Sequence, residues 1–422
     1  MTKFVTESKL SNGIRLITER MEGVRSVAFG TWFRVGSRDE NDETSGISHF
    51  LEHMSFKGTK TRNLLDISMA FEGIGAEFNA FTSSEYTCYH ARFMDEHLPL
   101  VIELFADMTI NSTFSEEAIT TERDVVLEEI ARYEDEPDEN AFRLFHESLF
   151  PTHQLGRPVL GSRSIVAAFN HQSCDSYHKH NYNANNCVLV ATGNVDHDAL
   201  HDLCEQWFAA MPTGTLNTRG EVGEQKRRLF STLQKETEQA HMLYGMYGVD
   251  LQHDLRYAAK ILDVALGGTM SSRLFQEIRE KRGLAYAVYA GNSAFMNAGE
   301  FSIYVGTRPD NIQEAVGIIR HELDDILNGG LSLDEITRAR DYLVGQIALS
   351  SESSNNRMHR IGRSAVNGLN LISFDELIEQ YKAVTLQNVN DVAQFIFRQD
   401  PTIAVVSPLV NDELVQRLGI SL

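Results

Sequence analysis

Two histidines and a glutamate stand within one helical turn in the stretch His49-Phe50-Leu51-Glu52-His53. Residues four apart on an α-helix are neighbours, so both imidazoles can converge on one metal ion, and Glu52 can reach a water held there. This pairing of a metal site with a nearby carboxylate suits hydrolysis: the metal polarises, and the carboxylate takes the proton. The flanking residues predict the helix, with Thr44 and Ser45 able to cap its start and Gly58 to end it.

A catalytic zinc usually has three protein ligands and one open position, so a third ligand is needed. Ser115-Glu116-Glu117 reads as a helix start with acids in the first turn, and Pro137 closes the segment, which predicts a helix from Ser115 to about Tyr133. Its core stripe is Ile119, Val126, Ile130 and Tyr133. At 100° per residue Glu122 and Glu129 share a face on the flank of that stripe, whereas Glu128 points away. Glu129 is therefore the better ligand, and Glu122 a supporting acid.

The stretch from Gly46 through His49, Glu52 and His53 to Thr59 resembles the active-site helix of the pitrilysin family of zinc metallopeptidases, the inverzincins, whose motif runs His-x-x-Glu-His. The likeness is strongest to the branch that holds the β-subunit of mitochondrial processing peptidase and short bacterial relatives. A downstream Glu-Arg-x-Val-(Val/Ile)-x-x-Glu context of that family is matched by Glu122-Arg123-Asp124-Val125-Val126-Leu127-Glu128-Glu129. The resemblance implies one zinc ion per chain held by His49, His53 and Glu129, with Glu52 as general base and Glu122 as a supporting carboxylate. It further implies that Asn79, Ala80, Phe81 and Thr82 lie on an edge strand that takes up a peptide by backbone pairing. Arg279 and Tyr286, in Ile278-Arg279-Glu280-Lys281-Arg282-Gly283-Leu284-Ala285-Tyr286, resemble the Arg/Tyr pair that completes the family's site from a second domain. The matches run from the N-terminal strand to about Tyr289.

Length and composition set the frame for these residues. A chain of 422 residues with 42% apolar content exceeds one ordinary core, so two or three domains are expected. Cys88, Cys174, Cys187 and Cys204 show no paired spacing, which points to buried thiols and a reducing compartment. The first residues, Met1 to Glu7, lack a basic segment followed by an apolar run, and no stretch approaches a membrane span. A cytoplasmic protein is expected, or a mature organellar matrix protein. A net charge of −21 argues against nucleic acid as a partner and suits basic peptides.

The chain also carries a degenerate repeat. Val27 to Gly30 pairs with Met242 to Gly245, and Val188 to Ala191 with Ile403 to Val406, each about 215 residues apart and each reading as a buried strand. The helix starts at Phe114 to Ile119 and Leu331 to Ile336 correspond at nearly the same offset. This predicts an α+β protein of two related domains of similar topology, each a mostly antiparallel sheet with packed helices, facing each other across a cleft. The expected boundaries are 1–211 for the zinc domain, 212–227 for a turn-rich linker, and 228–422 for a homologous domain without metal. In the second copy the positions of His49, Glu52 and His53 fall on Val264, Gly267 and Gly268, and those of Glu122 and Glu129 on Ala339 and Gln346. Only the first copy can hold the metal.

Other candidates are weaker. Gly73-Ile74-Gly75 and Gly267-Gly268-Thr269 read as turns, His178-Lys179-His180 as a solvated face, and Glu134 to Glu139 as an exposed loop. The expected function is that of a zinc-dependent endopeptidase which hydrolyses extended or unfolded peptides within a closed chamber formed by a homodimer. The alternative is a non-catalytic scaffold or partner subunit of the same fold. Because the metal ligands, the base and the Arg/Tyr pair all occur in one chain, the enzyme is the stronger reading.

Overall fold

The computed structural model describes residues 4–223 and 226–409. Met1–Lys3 of the segment read for a leader, Glu224 and Gln225 of the linker, and positions 410–422 of the second copy lie outside the described residues. Two compact units are present, and neither is contiguous in sequence. One holds the chain up to Ile130, Arg157–Arg219 and Leu349–Ser373; the other holds Ala131–Gly156, Gly220–Ala348 and the chain from Phe374 onward.

The first unit's sheet is built from β1 (Thr6–Lys9), β2 (Arg15–Arg20), β3 (Ser26–Phe33), β4 (Glu77–Thr82), β5 (Thr87–Met94) and β6 (Cys187–Gly193), in the order β1-β2-β6-β3-β5-β4. Every pair is antiparallel except β2 with β6. Its helices, in chain order, are α1 (Ile47–Met54), α2 (Leu64–Glu72), α3 (Leu98–Ile110), the first part of α4 (Glu116–Asp135), α6 (Arg163–Val166), α7 (His171–Asn181), α8 (His197–Phe208) and α12 (Ser354–Val366). The second unit has β7 (Phe230–Gln234), β8 (Ala240–Tyr247), β9 (Ala285–Ala294), β10 (Gly299–Thr307) and β11 (Thr402–Ser407), in the order β7-β11-β8-β10-β9. Here too one pair, β7 with β11, is parallel. Its helices include α5 (Pro137–Leu149), α9 (Arg256–Asp263), α10 (Ile312–Gly329), most of α11 (Leu333–Ser350), α13 (Phe374–Lys382) and α14 (Leu386–Phe397).

Strand order and pairing sense match between the sheets when β2, β6, β3, β5 and β4 are set against β7, β11, β8, β10 and β9. The four segments that repeat in the sequence fall on β3 and β8 and on β6 and β11. Both faces of each central strand are buried, as period-two alternation demands. On β3, Val27, Phe29 and Phe33 enter the core with α1 and α3, while Ala28 and Trp32 enter a second cluster with Met358 and Ile361 of α12. On β8, Leu243 packs with Ala141, Phe145 and Leu149 of α5. Each sheet thus has one face covered by a helix remote from its other elements in sequence. Glycines allow the approach: a Cβ on Gly30 would lie 2.5 Å from Met358 Sδ, and one on Gly245 would lie 2.6 Å from Phe145.

Three local expectations are corrected. Glu134 to Glu139 is no loop, because α4 runs to Asp135 and α5 restarts at Pro137, with Asn140 Nδ2 donating to the carbonyls of Glu134 (2.7 Å) and Glu136 (2.8 Å). His178 is not solvated. It is buried against Tyr182, its Nε2 bonds the Thr109 carbonyl at 2.9 Å, and burial pulls its pKa down to about 4. Gly267 and Gly268 belong to a π-helical segment, Val264–Gly268, rather than a turn. All four cysteines are buried and unpaired in disulfides. Among the described residues no helix is long and apolar enough to cross a membrane.

Candidate metal centre

α1 begins at Ile47 after Gly46, whose φ of 93° and closeness to the Leu160 carbonyl (2.5 Å from where a Cβ would sit) leave no place for a side chain. Thr44 and Ser45 do not cap it. That role falls to Glu40, which sequence reasoning missed: its Oε2 accepts the Gly46 N–H at 2.7 Å and its Oε1 accepts the Ser48 N–H at 2.8 Å. A carboxylate at a helix N-terminus meets the unsatisfied N–H groups and the positive end of the dipole. Burial nevertheless pushes Glu40 up to about 7, against the pull of these bonds. The helix closes at Met54, earlier than Gly58, which adopts a φ of 140° in the turn beyond.

Seven of the eight residues of α1 are buried, and Phe50, Leu51 and Met54 turn into the core. His49 and His53 consequently share the other flank, with ring centroids 4.6 Å apart. α4 runs past them and presents Glu129: its Oε2 lies 3.7 Å from His49 Nε2 and 3.8 Å from His53 Nε2. Ligand atoms of His49, His53 and Glu129 all fall within 4.8 Å of one another, the one such group of three among the described residues. Glu128 on the same helix is exposed.

Glu122, one α4 face further back, accepts a hydrogen bond from His53 Nδ1 at 2.8 Å and from Lys57 Nζ at 2.7 Å. Holding Nδ1 turns Nε2 of His53 towards Glu129, the arrangement that fixes a metal-ligating histidine. Burial would lower the His53 pKa, but the Glu122 hydrogen bond and the charges of Glu52, Glu122 and Glu129 raise it overall. For Glu122 burial is outweighed by His53 and Lys57, which hold its carboxyl below the usual range. His49 has no such partner among the described residues: its Nδ1 is buried without a hydrogen bond there, and burial beside His53 drives the ring down to about 3. A neutral His49 is a ready ligand.

Glu52 is buried, and burial raises its pKa despite the Thr82 hydroxyl and the nearby His53. Thr82 Oγ1 donates to Glu52 Oε2 at 2.6 Å, a contact that sequence reasoning did not foresee. Asn79, Ala80, Phe81 and Thr82 all lie on β4, the edge strand of the first sheet, and the Ala80 N–H is covered by Asn79 Oδ1 at 2.9 Å. In the second unit Arg279 sits in the π-helical segment Phe275–Glu280 and Tyr286 on the edge strand β9. Arg279 Nη1 donates to the Tyr286 carbonyl at 3.0 Å, its guanidinium lies 5.2 Å from the Tyr286 ring centre, and that ring is 77% exposed.

The donor set suits zinc. Ligands on a tetrahedral ion with bonds near 2.0–2.1 Å stand about 3.4 Å apart, close to the separations seen here, and two imidazoles with one carboxylate leave a fourth position open. Residues 15–163 match the family model described as insulinase, peptidase family M16, and residues 168–343 match that described as peptidase M16 inactive domain. A protein named as an uncharacterized zinc protease in Streptomyces coelicolor is 40% identical, over 98% of this chain and 92% of its own. Another so named, in Bacillus subtilis, is 38% identical over 95% and 97%. This chain belongs to the insulinase family of peptidases. The insulinase match contains His49, Glu52, His53 and Glu129, whereas the inactive-domain match contains Val264, Gly267, Gly268 and Ala339. The family fold is also seen in solved structures at 20% identity: a protease from Helicobacter pylori (TM-score 0.89, 96% of this chain and 99% of that one) and a peptidase M16 inactive domain from Pseudomonas fluorescens (TM-score 0.87, 96% and 98%).

Proposed function

We propose that this insulinase-family chain is a zinc-dependent endopeptidase with one zinc ion per chain, held by His49, His53 and Glu129. The observation that carries the reading is the convergence of ligand atoms of His49, His53 and Glu129 within 4.8 Å, with both Nε2 atoms 3.7–3.8 Å from Glu129 Oε2 and Glu52 on the same helical turn. Bound zinc supplies Lewis acidity, lowering the pKa of a coordinated water and polarising a carbonyl. Glu52 accepts the proton of the attacking water and later delivers it to the leaving amine. Its buried setting supports this role, because a raised pKa brings a carboxylate closer to the range in which it can both take and return a proton. Glu122 orients His53 through Nδ1. Arg279 and Tyr286 are proposed to bind the substrate carbonyl region during attack, a role supported by their pairing and the exposure of Tyr286.

The substrate is an extended or unfolded peptide paired to the backbone of Asn79 to Thr82, in the manner of an added strand. Main-chain pairing makes specificity broad, and the net charge of −21 favours basic peptides. The working form is a homodimer enclosing a chamber, since ligands, base and Arg/Tyr pair occur together in each chain; a cytoplasmic or organellar matrix setting goes with the reduced cysteines. Mass spectrometry of a peptide library incubated with zinc-loaded, chelated and zinc-reloaded protein tests the activity. Internal cleavage that vanishes on chelation and returns with zinc is expected. Equal cleavage in all three, or none in any, would refute it.

A further inference from the structure

Period-two alternation on β4 divides its side chains. Phe78 and Ala80 pack with the core that contains α1, whereas Phe81 packs with Trp32, Tyr86 and α12 on the other face. Thr82 falls on the α1 side with Phe78 and Ala80, two residues beyond Ala80, and there its hydroxyl meets Glu52 Oε2. The direction of the proton is determined by the neighbour. Thr87 lies opposite Thr82 in the β4–β5 register, and its hydroxyl donates to the Val35 carbonyl at 2.9 Å. With that proton engaged, Thr87 Oγ1 can only accept from Thr82, at 3.4 Å, while Glu52 Oε2 competes at 2.6 Å and carries charge. The shorter, charge-assisted bond wins.

Among the described residues Thr82 is the one hydrogen-bond partner of the Glu52 carboxylate, and Oε1 receives none. A glutamate has three rotatable bonds between its backbone and its carboxylate, and α1 alone constrains only the first of these well. Anchoring Oε2 to a second element removes most of the remaining freedom and keeps Oε1 for the reacting proton. We propose that Thr82 acts through its side chain as a positioning residue for Glu52, rather than as a side-chain contact for the peptide. The same strand end therefore serves two partners: backbone for peptide, hydroxyl for base. The inference rests on the reading of Glu52 as the base, and it goes beyond that reading in assigning what holds it.

The test uses Thr82→Val, which keeps the β-branched shape and removes the hydroxyl, with Thr82→Ser as the rescue. In the zinc-loaded enzyme Thr82→Val should lower kcat about 10- to 100-fold, the cost of a loosely placed catalytic group, leaving KM and zinc content unchanged. Thr82→Ser should recover most of that loss. In a Glu52→Gln background, fluorescence anisotropy with a labelled basic peptide should give the same Kd with and without the added Thr82→Val substitution, since the peptide does not use the hydroxyl. Full activity of Thr82→Val, loss of its zinc, or weaker peptide binding on adding Thr82→Val to Glu52→Gln would each overturn the assignment. A fully active Glu52→Gln protein would instead overturn the proposed function itself, together with the inference built on it.

Discussion

The residues of α1 and α4 that gather in the first unit have counterparts at the repeat offset in Val264–Gly268 and α11 of the second, whose sheet has the same strand order, yet the two sets differ in every polar position. Where the first has His49, Glu52, His53, Glu122 and Glu129, the second has Val264, Gly267, Gly268, Ala339 and Gln346. The backbone differs as well: α1 is a regular α-helix, whereas α9 passes at Val264 into a π-helical segment. Gly267 there lies so near β9 that a Cβ would stand 2.4 Å from the Ala290 nitrogen. A cavity of about 310 Å³ beside it is lined by Val264, Ala265, Met270, Ala339 and Tyr342 among others. Glu335 and Arg338 also line it, but none of the residues at the positions matching His49, Glu52, His53, Glu122 and Glu129 is charged. Burying imidazoles and carboxylates costs free energy that hydrogen bonds only partly return, so their presence in the first unit points to chemistry rather than folding.

The sharpest break of this comparison should come at Glu52. Glu52→Gln is expected to cut peptidase activity by roughly 10²- to 10⁴-fold and to leave zinc content unchanged, as elemental analysis beside a peptide-cleavage assay would show. Retained activity would mean that another group takes the proton. A smaller loss is expected at Glu122. Glu122→Gln leaves the three ligands in place but weakens the hold on His53 Nδ1, and should reduce zinc affinity about 10- to 100-fold in a competition titration with a chelator. An unchanged affinity would show that His53 needs no orienting acid.

A more modest effect concerns Glu40. Its folded-state pKa is raised from 4.5 to about 7, so its contribution to stability is fully present below pH 4.5 and is lost as pH rises through about 7. Thermal melts of the metal-free protein should therefore show that Glu40→Gln, which does not titrate, flattens the fall in stability across that window. A slope identical to that of the unmodified protein would place the titration elsewhere. The smallest effect is expected from rebuilding the site in the second unit. Val264→His, Gly268→His and Gln346→Glu together should leave zinc at one ion per chain, because the π-helical backbone does not repeat the i,i+4 spacing of α1. Two ions per chain would show that side chains alone distinguish the units.

What the sequence makes legible follows from the range of the forces involved. Helical periodicity separates Glu129 from Glu128 because both lie on one long helix, where a hundred-degree step decides which side faces the histidines. The repeat is legible because β3 and β8, and β6 and β11, keep buried apolar runs at a constant offset. Glu40 carries no such signal: it sits in an irregular turn, and only tertiary folding brings it to Gly46 and Ser48. Thr44 and Ser45 look like caps because cap preferences are local, and a carboxylate from outside the turn outcompetes them. Likewise His178 reads as solvated from its charged neighbours Lys179 and His180, although α7 turns it into the core against Tyr182. The placement of α5 and α12 on sheets far from their neighbours in sequence depends on packing at Gly245 and Gly30, which no local pattern announces.

The most direct test of the central claim is zinc quantification on purified Glu129→Ala and Glu128→Ala proteins beside the unmodified chain. The two glutamates are adjacent and alike in chemistry, so only the direction of the side chain distinguishes them. One zinc per chain in the unmodified and Glu128→Ala proteins, with little or none in Glu129→Ala, is the predicted result. Full zinc in Glu129→Ala with loss in Glu128→Ala would contradict the assigned centre.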